Sequence, residues 1–513
     1  MDPFGERQDL AAVVLLCNLQ AWRLRAVERV QLSNALWSER YKEIHVRPLA
    51  YSLTEKKVLS GCSKQARSLR AVLKVPPTEA GRTPSAKLIL PIADMPRIPL
   101  LDLRITVAGQ HVYRIPLDES ARIQAKYVSH LGGSTELING SCLEPELIDL
   151  LTSIFYFPPH PFNRICASRK NTDLAQYDYL LSENDVLPTG WKNSYPDWKN
   201  FADKIATLAS KYVLPERANS SEHPLIVLPY FFQELHAHSE TRYNATTAQD
   251  ITLLLEKLHF LLDGAANPPV GASDEEKARR HRFASAYYGY GLRWMAFARC
   301  VVPLDEPFTI TVEHKRAVYF TKTRDTRDRL SKTVWTTIAF ADAETNHISF
   351  RASDTAVRLE ESHRVLQENG DSLKDAKVDE ETSTFELYLR QDSTRNRTER
   401  ILIGIRLHLT RLHSSMLWVA ILITGFAFGL LVWRGVVEFR HASTKGRTFG
   451  LTAKDASVIL IPVAFAASFL LSRDSSTLSS RIKRLPQALL TVELFLLFAL
   501  AFFLFLLHYI RPG

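Results

Sequence analysis

The spacing of hydrophobic positions changes along the chain, and each spacing predicts a different kind of element. Over residues 1–37, Leu10, Val13, Val14, Leu16 and Cys17 form an apolar patch that Trp22, Leu24 and Val27 continue at helical intervals. This stretch predicts helix. From about Arg40 the period shortens: Ile44 and Val46 alternate with charged residues, and Pro48, Pro76 and Pro77 punctuate short extended segments. Residues 69–75 and 86–91 read as strands. A hairpin follows, in which Leu101, Leu103, Ile105 and Val107 alternate, Ala108-Gly109-Gln110 supplies a three-residue turn, and residues 111–115 return. Asp118 is placed to cap a helix running toward Leu131.

Residues 140–265 return to helical spacing. Pro145 suits a first helical turn ahead of Leu147, Ile148, Leu150, Leu151, Ile154 and Phe155, and Pro158, Pro159 and Pro161 end that helix. A second helix from Pro196-Asp197 is expected to bury Trp198, Phe201, Ile205 and Leu208. A third, over 247–262, places Ile251, Leu254, Leu255, Leu258 and Leu262 on one face. The apolar run 224–232 reads as a buried strand, and 264–273, with Pro268 and Pro269, as a linker.

Beyond the linker, β-branched and aromatic residues alternate over 308–313, 316–321, 334–342, 347–351 and 384–390. Repeated short strands predict a sandwich or barrel. The polar tract 353–383 reads as an exposed loop with one helix near 359–366. Ile401, Ile403, Ile405, Leu407 and Leu409 fit a strand, although Ile401, Ile405, Leu409 and Leu412 also fall at helical spacing. The strand reading is preferred, with 384–390 as its hairpin partner.

Three apolar runs close the chain at 416–433, 456–472 and 487–510. A helix needs roughly 20 apolar residues to cross a hydrocarbon core, so all three read as spans. Trp418 and Trp433 bracket the first, as interfacial aromatics do. Gly425 and Gly429 give it a G-x-x-x-G for close backbone approach, inside the bundle or between copies. The second is short and carries Pro462, which leaves a re-entrant hairpin as its alternative. The third is opened by Pro486 and contains Glu493, a functional candidate by default, although its carboxylate could reach back toward Lys483 or Arg484.

These patterns define an α+β multidomain part, with β-sandwich-like modules and a helical middle, followed by three transmembrane helices. The expected divisions are 1–135, a helix plus β module; 136–264, mainly helical; 274–412, β-rich beside the membrane; and 413–513, the spans.

Charge sets the orientation. Nine Arg and Lys flank the spans on the side of the large N-terminal part: Arg395, Arg397, Arg400, Arg406, Arg411, Arg473, Arg481, Lys483 and Arg484. Six lie opposite: Arg434, Arg440, Lys445, Arg447, Lys454 and Arg511. The positive-inside rule then puts the large part in the cytoplasm, with the chain multi-pass in the plasma membrane. The absence of a basic stretch before Leu10, as a secretory signal would have, agrees. The net charge of +9 is assigned to anionic headgroups near the spans, since no stacking aromatics interleave with the basic residues as nucleic-acid binding would need. The five scattered cysteines read as free thiols.

Chemistry is sparsely signalled. The P-loop, H-E-x-x-H, G-x-S-x-G and dinucleotide fingerprints are absent. His130 to Thr135, with Gly132 and Gly133, reads as a turn whose amides are the weaker anion-site alternative, and Arg279, Arg280, His281 and Arg282 as a solvated helix end, with nucleotide or lipid-headgroup contact as the alternative. His236 and His238, two residues apart, could share a metal if they lie on a strand. No cofactor is expected. The leading reading is a membrane-anchored, non-enzymatic sensor, scaffold or adaptor. The alternative is a metal-dependent hydrolase using His236 and His238, and an oligomeric channel ranks last.

Overall fold

The computed structural model describes residues 3–17, 19–49, 85–96, 100–138, 142–156, 195–208, 212, 248–318, 320, 332–340, 342–367, 376–379, 384–390, 399–445, 463–464, 468 and 477–510. The chain opens with α1 (Pro3–Cys17), α2 (Leu19–Trp22), β1 (Arg23–Leu32) and β2 (Trp37–Val46). Next come β3 (Ser85–Pro96), β4 (Leu100–Val107), β5 (Gln110–Val112), α3 (Leu117–Gly133), α4 (Pro145–Tyr156), α5 (Tyr195–Leu208), α6 (Ala248–Ala266) and α7 (Asp274–Leu292). Strands follow as β6 (Arg293–Pro303), β7 (Phe308–Ala317), β8 (Thr333–Phe340), β9 (Thr345–Ala352), β10 (Val357–Gln367), β11 (Ala376–Asp379), β12 (Thr384–Arg390) and β13 (Glu399–Leu409). Two long helices end the chain, α8 (Arg411–Lys445) and α9 (Thr477–Ile510).

An eight-stranded sheet in the order β11-β12-β9-β1-β2-β7-β4-β5 joins strands from both ends of this body. Its neighbours are antiparallel except β1 and β9, which run parallel over Arg25–Leu32 and Thr345–Ala352. Strand β1 replaces the helix expected there. Trp22, Leu24 and Val27 have helical spacing, but Ala26, Glu28, Val30 and Leu32 alternate on a buried face, and ladders on both edges outweigh local propensity. Two smaller sheets complete the body, β10-β13-β8 and β3-β6.

One face of the large sheet meets two separate apolar clusters. Ala26, Ile44, Val46, Ile105, Val107, Ile310 and Val312 join the larger one with α1, β3, β6 and helices α3 to α7. There Ile251, Leu254, Leu255, Leu258 and Leu262 are buried along α6, as the periodicity predicts. Val30, Leu32, Ile348, Phe350, Phe385 and Leu387 join the other with Val334, Ile338, Val365, Ile401, Ile403, Ile405 and Leu407.

The ambiguous stretch at 401–409 is therefore a strand. Its partners are β8 and β10, whereas β12 pairs with β9 and β11, so the expected hairpin with 384–390 does not form. The tract read as an exposed loop contains β10 and β11, and β10 is a strand where a helix near 359–366 is expected. Val357, Leu359 and Val365 of β10 are buried, and a register shift between Leu359 and His363 breaks the alternation that would have disclosed it. Helix α7 extends on both sides of the basic run 279–282 that the sequence marks only as a helix end, and strand β6 has no counterpart in the sequence reading. The hairpin turn is tighter than expected: Val107 pairs with Gln110, leaving Ala108 (φ 50°) and Gly109 (φ 78°) as a two-residue loop of the kind that matches strand twist. Helix α3 starts after Pro116 without a side-chain cap, and Asp118 lies inside its first turn. The predicted strands at 69–75 and 224–232 lie outside the described residues.

Gly404 on β13 faces Trp335 on β8. A Cβ there would stand 2.5 Å from an indole carbon, so only glycine lets the ring lie flat on the strand. Gly404→Ala should lower the unfolding midpoint of the sheet-rich part, by about 1–3 kcal/mol of stability. An unchanged midpoint would refute this pairing register.

Candidate functional site

Helices α8 and α9 are both long and apolar enough to cross a membrane, over Arg411–Val437 and Thr477–Leu504. Of the 30 large hydrophobic side chains exposed among the described residues, 20 lie on these two helices, so the apolar surface is concentrated there rather than scattered. Trp418 and Trp433 point outward, 53% and 71% exposed, separated by about 22 Å of helix rise.

Both helices start at the body. Thr410 alone separates β13 from α8, and its amide donates to the Ala356 carbonyl at 2.9 Å. The first turns of α9 are built into the second cluster: Leu478 and Ile482 are buried among the strands. Thr477 Oγ1 accepts from the Ala35 amide at 3.1 Å, and the Arg481 guanidinium lies 4.1 Å from the Phe320 ring centroid. This helix thus begins well before Pro486, which sits in its interior rather than opening it. The missing N–H of Pro486 frees the Ile482 carbonyl from its usual helical bond.

The helices run parallel. Ala420 and Ile421 pack with Leu490 and Leu494, Ala427 and Leu431 with Leu497, and Gly435 approaches Leu504, so contacts advance in the same direction along both. Val463 packs on both contact groups. Gly425 and Glu493 come together: a Cβ at Gly425 would lie 3.9 Å from Glu493 Oε1, while Gly429 has open space. The glycine pair therefore divides, with Gly425 facing α9. Glu493 turns toward α8 instead of back toward Lys483 and Arg484, which lie about 15 Å along the axis. Its Oε2 is buried without a hydrogen-bond partner among the described residues. Pro462, most of the run 456–472, and His236 and His238 lie outside the described residues.

A second concentration of polar chemistry sits between the two apolar clusters. Asp342 accepts from Arg23 Nη1 at 3.0 Å and from Lys42 Nζ at 2.8 Å. Glu28 binds Arg40 at 3.0 Å and Lys42 at 3.7 Å. Arg40 also donates to Thr336 Oγ1, Arg316 to the Thr337 carbonyl, and Arg293 pairs with Asp94 at 3.1 Å. All these side chains are nearly or fully withdrawn from solvent. His314 lies among them, and burial, reinforced by Arg40, Arg316 and Lys42, pushes its pKa down to about 3. Sequence reasoning missed this belt because Glu28, Arg40, Lys42, His314 and Arg316 occupy inward strand positions, where alternation anticipates apolar residues. The signal was the run Glu39 to Glu43, polar on both faces of one strand.

The other candidates are absorbed by structure. Arg279 and Arg280 pair with Glu276, whose carboxylate also accepts the Glu136 amide. Burial opposes its ionisation, but those hydrogen bonds together hold it below the usual carboxylate range. Gly132 and Gly133 finish α3, so that end presents carbonyls rather than amides and does not favour an anion. Cys142 and Cys300 are free thiols, with Cys142 exposed and burial pushing the Cys300 thiol up to about 12. Among the described residues no cluster of three metal-ligating side chains occurs. Compared with protein-family models, curated proteins and solved structures, the chain finds no match.

Gly425→Leu should push α8 and α9 apart. In membranes, the yield of an Ile421→Cys to Leu490→Cys crosslink is expected to fall several-fold, and an unchanged yield would contradict the Gly425 contact. For His314, an unfolded imidazole binds a proton near 6.5, whereas the folded one does so near 3. Its contribution is therefore complete above pH 6.5 and lost progressively as pH falls toward 3. Unfolding midpoints measured against pH should show that decline in the native chain and a flatter profile in His314→Asn.

Proposed function

We propose that the chain is a multi-pass membrane protein of three spans, holding its sheet-rich body at the cytoplasmic face of the plasma membrane as a non-enzymatic sensor, scaffold or adaptor. The observation that carries this reading is the burial of Leu478 and Ile482 in the body's second cluster, while β13 enters α8 through one residue. A body that merely needed an anchor would be served by a loose tether. Here any shift of β13 or of the cluster must be accommodated by the helices, which suits reporting a binding event to the bilayer.

The parallel course of α8 and α9 supports the third span. Two parallel helices that both leave the body require a return crossing between them, and the run 456–472 has about the minimum length for one. The sharing of one apolar cluster by two sheets supports a β-sandwich-like arrangement there. The Gly425 and Glu493 contact lies within one chain, which favours the glycine as an internal seam over a dimer seam. Arg411, Lys483 and Arg484 near the helix entries suit anionic lipid headgroups.

Epitope tags inserted after Gly450 and after Gly513 test the topology on sealed vesicles. Both should be reached from the same side, opposite the side from which protease digests the body. Tags on different sides would overturn three spans. Ile482→Asp tests the coupling by hydrogen exchange. Amides of β8 and β13 should exchange at least several-fold faster while those of β3 and β6 stay protected, and no change in β13 would defeat the coupling.

A further inference from the structure

The face of the eight-stranded sheet turned away from the two apolar clusters carries an open cavity of about 490 Å³ over β1, β2, β7 and β4. That volume lies in the range of small-molecule sites, roughly 300–1,000 Å³. Strand alternation and register build it. Arg29, Tyr41, Glu313 and Arg104 form one row across the four strands, and Gln31, Glu39 and Lys315 form the next. Several of these charges are left unspent. Glu39 faces Lys315 across the ladder, but the Lys315 ammonium turns to Asp102 at 3.0 Å. Asp102 sits at a register shift in β4 with φ 55°, a left-handed backbone that a non-glycine residue adopts at a cost in strain. Arg104 faces Glu313 without pairing with it, and Arg29 lies over the Tyr41 ring, 5.7 Å from its centroid.

Two guanidinium groups, Arg29 and Arg104, and two carboxylates, Glu39 and Glu313, thus border the cavity, and their side chains make no ion pair or hydrogen bond among the described residues. Across β1, β2, β7 and β4 their signs run plus, minus, minus, plus. A simple anion would meet the carboxylates, a simple cation the guanidinium groups, and a neutral polyol would leave all four uncompensated. A molecule with an ammonium and a carboxylate on one carbon suits them, because residues opposite each other on neighbouring strands, as Glu313 and Arg104 are, stand about 5 Å apart at Cβ. We propose that this cavity binds a free α-amino acid, its carboxylate held by Arg104 and its ammonium by Glu313 and Glu39. An Arg–carboxylate pair of this kind is bidentate and fixes the orientation of the molecule. The site names an input for the sensor proposed above, and in that role it rests on that reading. The β1–β2 hairpin links the two: Arg29 and Glu39 border the cavity on one face, Val30 and Leu32 pack with Leu478 and Ile482 on the other, and the Ala35 amide in its turn donates to Thr477.

The test uses the full chain purified in detergent, with each standard L-amino acid titrated singly by calorimetry. At least one should bind saturably, while its N-acetyl and methyl-ester derivatives, each lacking one of the two charges, bind at least several-fold more weakly. Arg104→Gln and Glu313→Gln alter exposed side chains without ion-pair partners. Each should weaken binding at least several-fold and leave the unfolding midpoint of the unliganded chain unchanged. The absence of saturable binding by every amino acid would overturn the proposal and leave the face to solvent. Equal binding by the native chain and both variants would also overturn it, by placing the ligand elsewhere. Hydrogen exchange at the Ala35 amide separates the site from the sensor. A changed rate on binding supports both, whereas binding with an unchanged rate supports the site and overturns its service as the sensor's input.

Discussion

Leu478 and Ile482 are the first inward residues of a long apolar helix, yet they are buried among β-strands, and most of the molecule's organisation follows from that. Burying two such side chains is worth about 3–6 kcal/mol, enough to fix where α9 starts and which way it points. Strand β13 fixes α8 in the same way by covalent continuity. With both origins set, parallel packing through Ala420, Gly425, Ala427 and Gly435 is the arrangement their small residues allow. Glu493 then meets Gly425 because no side chain intervenes.

The eight-stranded sheet supplies the platform for this. Its inward face is apolar at both ends and ionic in the middle, so the two clusters are joined by charge pairs rather than by one continuous hydrophobic layer. Such pairs contribute little net stability compared with well-packed apolar residues, but removing one partner leaves a buried charge and costs about 3–5 kcal/mol. The belt therefore enforces register: Arg23 and Lys42 meet at Asp342 only if β1, β2 and the segment before β9 align. The parallel pairing of β1 with β9 brings distant parts of the chain into that alignment.

What was legible in the sequence was whatever obeyed a simple period. The apolar face of α6, the alternation of β13 and the composition of α8 and α9 all did. Strand β1 was read as helix because three apolar residues happened to fall at helical spacing. Strand β10 was hidden by a register shift and by charged residues at its centre. The ionic belt was illegible for a deeper reason: it places charged side chains inward, and only tertiary pairing makes that tolerable. The closeness of Gly425 to Glu493 could not be seen either, since it depends on two helices lying parallel, although each residue stood out by itself.

This organisation requires α9 to be seated in the body rather than floating beside it. Cysteines placed at Ala35 and Thr477, in a chain whose native cysteines are replaced, probe this in intact membranes with a short thiol-specific crosslinker. A seated α9 gives an intramolecular crosslink between them. Failure of that crosslink, in a preparation where an Ile421→Cys to Leu490→Cys pair still joins, would show the helices paired but undocked and would contradict it.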